Sequence, residues 1–469
     1  MAAKTASQEQ WSGKAAFILA AVGSAVGLGN LWRFPAEAGS NGGGAFVIFY
    51  ILCVVLIGLP VLLSETLIGR HGQTSAPGSV RKVAAESGAS PRWAVLAMLG
   101  AFGAFLIISF YSVLGGWVLF YIGQFLGDFA GSLGNFTGGA FEGTPAEEVQ
   151  ALLPALFADN VTLLGLHAVF MGITVFVVAR GVSGGIEFVA TRLMPAFFFL
   201  FLGITIYGAV EGDFGAAATF LFSFEPAKLT PPVMLAALGQ AFFSLSLGSA
   251  LMITYGAYAG RDVNLASTSG IIAAADTSVA LIAGFAIFPI VFAAGLAVDA
   301  GPTLMFQTLP TSFMAMPAGS LIGLAFFVMV FFAALTSSVA LLEAPTVWAM
   351  DKFDSARAPT ALVVGGAAFG LGVVAALSFN ILGDLKPLDA IPLFAGQGIF
   401  DILDTLTGKI MLPLAALLTA IFTGWVADKR LIDAENGISG GLHLIWRFLI
   451  AWLCPLALVA ILVFGVFFS

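Results

Sequence analysis

Near the amino terminus an apolar run is broken by the stretch Gly23-Ser-Ala-Val-Gly27-Leu-Gly29-Asn30. Each glycine costs a helix interior about 1 kcal/mol against alanine, so three within seven residues favour unwinding. Unwinding frees backbone carbonyl and amide groups for other partners. A second apolar run is broken in the same way, by Phe243-Ser-Leu-Ser-Leu-Gly248-Ser249. Small residues four apart, as Gly23 and Gly27 are, also serve close helix packing. Packing does not account for Asn30, Ser244 and Ser246 beside them. Two further features share this character. Thr336 and Ser337 form a hydroxyl pair in an apolar run, and Asp276 is the one carboxylate in SGIIAAADTSVALIAGFAIF. A Thr-Ser pair commonly only bonds back to its own helix. An intramembrane acid, by contrast, costs roughly 2.5–3.5 kcal/mol to insert and marks a functional site by default.

These groups need a scaffold that shields them from lipid, and the composition describes one. Of the 469 residues 59% are hydrophobic and 9% charged, against roughly 25% charged in soluble domains; mean hydropathy is +1.03. Apolar runs fall at 15–37, 44–70, 94–125, 161–180, 187–211, 231–258, 266–298, 320–350, 359–378, 396–425 and 441–468. Each is long enough for a membrane helix of about 20 residues, and none alternates as barrel strands do. The expectation is an all-α polytopic membrane protein of eleven spans. The first run also resembles a signal peptide, but it continues through NLWRFP into further spans and reads as the first helix. Net charge is −8, which argues against nucleic acid as a partner. Cys53 and Cys454 lie in apolar runs, and the three histidines have no metal-ligand spacing.

Charge placement gives the topology. The longest polar insert, GDFAGSLGNFTGGAFEGTPAEEVQALLPALFADN, has five acidic residues and no Lys or Arg, while the preceding loop carries Arg70, Arg81, Lys82 and Arg92. The positive-inside rule places the N-terminus in the cytoplasm and, with an odd number of spans, Ser469 outside. Fourteen of the eighteen basic residues then lie inside; Arg33, Lys228, Lys386 and Lys409 do not. A multi-pass plasma (inner) membrane protein is expected. The two broken runs are the first and the sixth, equivalent positions if five helices repeat with inverted topology. Such paired breaks point to a transporter's midplane site. The expected organisation is a cytoplasmic segment 1–14, a first repeat 15–211, a second 231–425 and an added helix 441–469.

The motifs GSAVGLGNLWRFP, SNGGGAF, FFSLSLG and ALTSS, in this order, resemble the neurotransmitter:sodium symporter family, which has the LeuT fold. The resemblance runs from Trp11 to about residue 425. It implies a sodium-coupled symporter working by alternating access, and no enzyme. It also implies two Na+ ions, held by oxygens as hard cations are. One site would use carbonyls of Ala25 and Ser244 with side chains of Asn30, Ser244 and Asp276. The other would use carbonyls of Gly23, Val26 and Ala333 with the hydroxyls of Thr336 and Ser337. Many relatives carry Asn at the position of Asp276, and chloride-dependent ones carry Ser where this chain has Ala280. Asp276 is therefore expected to replace chloride, and to take up a proton after sodium leaves.

For the substrate, the resemblance implies a neutral L-amino acid. Its carboxylate would meet Tyr111 and the amides of Leu28 and Gly29, where a half-helix N-terminus offers free N–H groups. Its ammonium would meet carbonyls of Ala25, Phe243 and Ser244 and the Ser246 hydroxyl. Ile107, Phe243, Ser249, Ser337, Ala340 and Leu341 would surround its side chain. Ser249 stands where a leucine-selective relative has a bulky aromatic, which favours large hydrophobic or aromatic substrates. Arg33 and Asp404, joined through water and with Asp401 nearby, would form an outer gate beside Phe243 and Tyr111. Trp11, Tyr258 and Asp351 match the inner network. The usual arginine before Trp11 is Gln8 here, so Lys4 or Lys14 would partly substitute. Glu65 is expected to brace the unwound first helix. Monomers or weak dimers are expected. The readings from other classes are a sodium-dependent binding receptor or a channel; no charged ring or filter signature supports the channel.

Overall fold

The computed structural model describes residues 9–131, 137–296, 298 and 304–467. Among these it is helical without strands. Among the described residues nine helices are long and apolar enough to span a bilayer: Gly44–Gly72, Pro91–Gly131, Asn160–Ala179, Val182–Glu211, Leu265–Ala293, Gly319–Phe353, Arg357–Leu377, Ile399–Val426 and Gly441–Val466. A tenth span is the pair Lys14–Ala25 and Gly29–Ser40, bent by 46°. The remaining apolar run is split into Pro231–Ser244 and Leu251–Ala257. The third and eighth spans, of 41 and 35 residues, exceed the roughly 20 that cross once. They pack along each other and form the wall against which the broken helices lie.

Both breaks have local causes. The first helix stops because Val26 is extended (φ −73°, ψ 103°) and the Gly27 N–H turns to the Asn30 side-chain oxygen at 3.1 Å. The carbonyl of Gly23 thereby loses its helical donor. Gly27 also has no room for a side chain: a Cβ there would lie 2.4 Å from the Ser337 hydroxyl and 2.9 Å from the Tyr111 hydroxyl. In the sixth span Ser246, Gly248 and Ala250 all have positive φ (53°, 75° and 62°). Gly248 is obligatory there, since a Cβ would meet the Leu412 carbonyl at 2.1 Å.

Glu65 differs from expectation. Its fully buried carboxylate accepts the Gly248 N–H at 2.7 Å, so it braces the break of the sixth helix rather than the first. An unwound amide in a dry interior needs an acceptor, and the second span passes closer to this one.

On the side of the first loop, Glu435 of the short helix Lys429–Asn436 ties three segments together. Arg70 donates to its carboxylate at 2.7 Å and to its carbonyl at 2.5 Å. Arg70 also donates to the carbonyl of Val263, and His71 faces the same carboxylate at 3.5 Å. Hydrogen bonding to His71 and the charge of Arg70 overcome burial and hold the Glu435 carboxyl down at about 2. A carboxyl depressed on folding adds stability that is complete above its unfolded value and fades as pH falls toward its folded one. Glu435→Gln is therefore expected to lower the thermal midpoint at pH 7. The gap to wild type should narrow between about pH 4.5 and 2, as thermal unfolding at stepped pH will read.

Candidate functional site

The first and sixth breaks face each other, and the seventh span supplies a carboxylate between them. Asn30, Ser244 and Asp276 are all buried. The Asn30 amide donates to Asp276 Oδ1 at 2.8 Å, to its carbonyl at 3.1 Å and to Ser244 Oγ at 3.0 Å. Ser244 Oγ donates to Asp276 Oδ2 at 2.6 Å. Tyr50 of the second span, unflagged in the sequence, donates to Ser244 Oγ at 3.3 Å. Gln240 donates to the Gly29 carbonyl at 2.8 Å and holds the half-helix beyond the break. No group of three His, Cys, Asp or Glu side chains among the described residues could hold a metal ion. The donor set is instead all oxygen, with one carboxylate, which suits a hard monovalent cation.

A second convergence lies toward the N-terminal side. Ser337 Oγ is 3.3 Å from the Gly23 carbonyl and 3.2 Å from that of Val26. One hydroxyl proton cannot serve both carbonyls fully, so the oxygens exceed the local donors. Thr336 lies against Gly23, and its hydroxyl is within 3.0 Å of the carbonyls of Phe332 and Ala333. The five residues expected to form a second cation site are thus together, with Thr336 turned back onto its own helix.

Between these polar groups lies a cavity of about 40 Å³. Of the residues expected to bind substrate, Ala25, Leu28, Gly29, Ile107, Tyr111, Phe243, Ser246, Ser249, Ser337 and Leu341 line it. Ser244 and Ala340 do not; Ser244 is engaged by Asp276, and Ala340 is buried in the eighth span. Ser24, Gly27 and Leu412 line it in addition. The Leu28 N–H donates to the Tyr111 hydroxyl at 3.2 Å, fixing the ring over the half-helix N-terminus. The Ser249 hydroxyl is spent on the Ser246 carbonyl, so it offers the cavity a small surface rather than a free donor.

Beyond Tyr111 and Phe243, which line both spaces, a vestibule of about 390 Å³ opens beside the acidic insert. Arg33, Asp401 and Asp404 line it. Arg33 pairs with Glu37 at 3.7 Å and lies 4.3 Å over the Phe243 ring. It makes no direct bridge to Asp404 here, because the i,i+4 carboxylate of its own helix is nearer at hand. Asp401 accepts the Gly398 N–H at 3.4 Å at the start of its helix.

The opposite end is sealed. Trp11 donates to the Tyr255 carbonyl at 3.0 Å and packs edge-on against Tyr255 and Tyr258. Tyr258 donates to Glu343 at 2.6 Å, Arg357 donates to Glu343 at 2.6 Å, and Arg357 also pairs with Glu9. Asp351 is not in this network; it accepts from Ser75 at 2.6 Å. Among the described residues Lys14 forms no ion pair, and Lys4 and Gln8 lie outside them. The charge scheme is thus a cation between two carboxylates, with the N-terminal segment contributing an acid. Glu343 was findable by the rule that singled out Asp276, being one acid inside an apolar run.

The Sodium:neurotransmitter symporter family profile matches residues 8–130 and 155–468. An uncharacterized sodium-dependent transporter of Bacillus subtilis (strain 168), YhdH, is 36% identical over 461 residues, 96% of each chain. One from Haemophilus influenzae is 32% identical over 98% of each. The crystal structure of MhsT in complex with L-phenylalanine superposes with a TM-score of 0.86 and 37% identity, covering 98% of this chain and all of that one. MhsT has the LeuT fold, and so does this chain. Two broken helices around oxygen-lined sites, and a likeness that runs the length of the chain, have one explanation: this multi-pass membrane protein belongs to the sodium:neurotransmitter symporter family and is a sodium-dependent transporter of a small molecule, not an enzyme.

Proposed function

We propose that the chain imports large hydrophobic or aromatic L-amino acids, driven by two Na+ ions and without chloride. The observation that carries this reading is the buried Asp276 carboxylate, bonded to both broken helices through Asn30 and Ser244. It places a resident negative charge at the cation site, where a chloride-dependent carrier would need an added anion. Ala25, Asn30, Ser244 and Asp276 serve the first ion; Gly23, Val26, Ala333, Thr336 and Ser337 serve the second. After sodium leaves, a proton on Asp276 lets the empty carrier return. The side-chain preference is supported by the small Ser249 and the apolar Ile107 and Leu341 in the cavity wall, and by the crystal structure of MhsT in complex with L-phenylalanine. At about 40 Å³ the cavity admits an amino acid only when Phe243 or Tyr111 moves toward the vestibule. Residues 15–211 and 231–425 act as the two inverted repeats. The N-terminus is cytoplasmic and the C-terminus external in the plasma (inner) membrane, and the carrier works as a monomer or weak dimer.

Proteoliposomes with an inward sodium gradient test this. Labelled L-phenylalanine should accumulate equally in chloride and in gluconate, and not at all without sodium. Strict chloride dependence would overturn the role of Asp276. Saturable sodium-dependent binding without accumulation would favour a receptor.

A further inference from the structure

At the end of the second span His71 has a carboxylate at each ring nitrogen. Nε2 lies 2.6 Å from Glu86 Oε2, and Nδ1 lies 3.5 Å from Glu435 Oε1. The two acids come from different loops. Glu86 ends the first-loop helix Ala76–Glu86, and Glu435 belongs to the helix Lys429–Asn436 before the last span. A neutral imidazole has one N–H and one lone pair, whereas the charged ring donates from both nitrogens. Only the charged ring therefore suits both acids; in the neutral ring a lone pair must face one carboxylate. The other charges at this point are Arg70, Arg261 and Lys82. Arg70 donates to Glu435 and to the Val263 carbonyl, and Arg261 lies 3.9 Å from Glu435. Lys82 donates to the His71 carbonyl at 3.3 Å, and Ser87 Oγ accepts the Asp428 N–H at 2.8 Å. These two bonds hold the first-loop helix in either state of the ring. The cluster leads directly to the seal. Arg261 and Val263 share the loop 258–264 with Tyr258, whose hydroxyl donates to Glu343. Ser75, which caps the first-loop helix, donates to Asp351 of the eighth span. Protons can reach the ring, since its side chain is 17% exposed and that of Glu86 41%.

We infer that His71 is a proton-operated clasp between the two loops that regulates how readily this end of the transporter opens. Charged, it draws Glu86 and Glu435 together and steadies the loop 258–264, so the seal stays shut. Neutral, it leaves a lone pair against one carboxylate, and the loops part more easily. Histidine is the side chain whose ordinary charge change falls between about pH 5 and 8, so the clasp loosens as pH rises through that range. With the N-terminus in the cytoplasm, as proposed above, the ring senses cytoplasmic pH, and acidification slows opening toward that side. The side it senses rests on that orientation; the clasp itself does not.

The test uses the full chain in nanodiscs, where both faces meet one buffer, and reads maleimide labelling of Ala259→Cys with Cys53 and Cys454 replaced. Ala259 is 1% exposed and follows Tyr258 of the seal. Variants are compared at equal pH, so ionisation of the thiol and protonation of Asp276 enter every rate alike. At about pH 5.5, where an unperturbed histidine is charged, His71→Gln should label about fivefold faster than the His71 protein, the scale of a partly exposed ion pair. At about pH 8.5, where an unperturbed histidine is neutral, the two rates should agree within about twofold. His71→Arg, whose charge is fixed, should stay slow at both. Glu86→Gln keeps His71 in place on a helix that is half exposed, and should lose most of the pH dependence. A ratio of His71→Gln to the His71 protein that is the same at both pH values would overturn the clasp, as would an unaltered pH dependence in Glu86→Gln. In sealed inside-out vesicles the effect should follow the pH of the bath. An effect that follows the lumen instead would refute the orientation and leave the clasp standing.

Discussion

Arg357→Gln is expected to unseal the N-terminal end of the transporter and to abolish concentrative uptake. Arg357 bridges Glu343 and Glu9, and Glu343 is fully buried. Removing one partner of a buried pair costs about 3–5 kcal/mol, because the other charge is left uncompensated in a poor solvent. At 1.4 kcal/mol per tenfold this is a shift of a hundredfold or more away from the sealed state. The sealed state is also what Tyr258 and Trp11 stabilise through the same Glu343 and the Tyr255 carbonyl. A cysteine placed at Ala259, which is 1% exposed, reports on the opening once Cys53 and Cys454 are replaced. Its labelling rate by a membrane-impermeant maleimide on inside-out vesicles should rise at least tenfold in Arg357→Gln. Adding Glu343→Gln removes the stranded carboxylate while keeping a hydrogen-bond acceptor for Tyr258, and should bring labelling back toward wild type. That reversal separates a lost seal from a misfolded chain. Unchanged labelling and uptake in Arg357→Gln would show that the triad does not hold this end shut.

What could be read from the chain beforehand follows from which interactions are local. The spans were legible because lipid imposes a continuous apolar run. The breaks were legible because glycine and serine in such a run have few other uses: Gly27, Ser246 and Gly248 sit where the structure unwinds, and Gly29 and Ser244 are the helix ends that flank the breaks. The run starting at 187 begins earlier, at Val182, because the glycines of VSGGI form a wide helical turn rather than a loop. Pairings across the chain were not legible. Glu9 and Arg357 are 348 residues apart, and no periodicity in either neighbourhood announces the other. Arg357 reads equally well as an ordinary inside-positive residue at a helix start. Asp351 matches a motif by position, yet its partner is Ser75, since the cation of the seal came from a different helix. Glu65 likewise could be recognised as a brace, but which of two unwound segments it reaches depends on packing.

Asp276→Asn separates charge from shape at the proposed cation site, and its effect should be large. In wild type, Oδ1 accepts from Asn30 and Oδ2 from Ser244. An asparagine keeps one acceptor and nearly the same volume. The Ser244 hydroxyl can rotate to accept from the new amide, so the hydrogen bonds can be rebuilt with only the charge lost. Unit charges about 4 Å apart interact by about 4 kcal/mol at an effective dielectric of about 20, and part of this is recovered by relaxation and water. Apparent sodium affinity for phenylalanine binding should therefore fall by about 100-fold in Asp276→Asn, with far less change in thermal stability. If the carboxylate stands in for an anion, then supplying one should compensate. Ala280, also buried and one turn later on the same helix, is where a hydroxyl would help to hold chloride. The double variant Asp276→Asn/Ala280→Ser should regain much of the sodium affinity in chloride and none of it in gluconate. Titration of sodium against labelled phenylalanine in the two anions reads this directly. Wild-type sodium affinity of Asp276→Asn in gluconate would mean that the oxygens of Asn30, Ser244 and the freed carbonyls suffice, and that the carboxylate is not the charge that balances the ion.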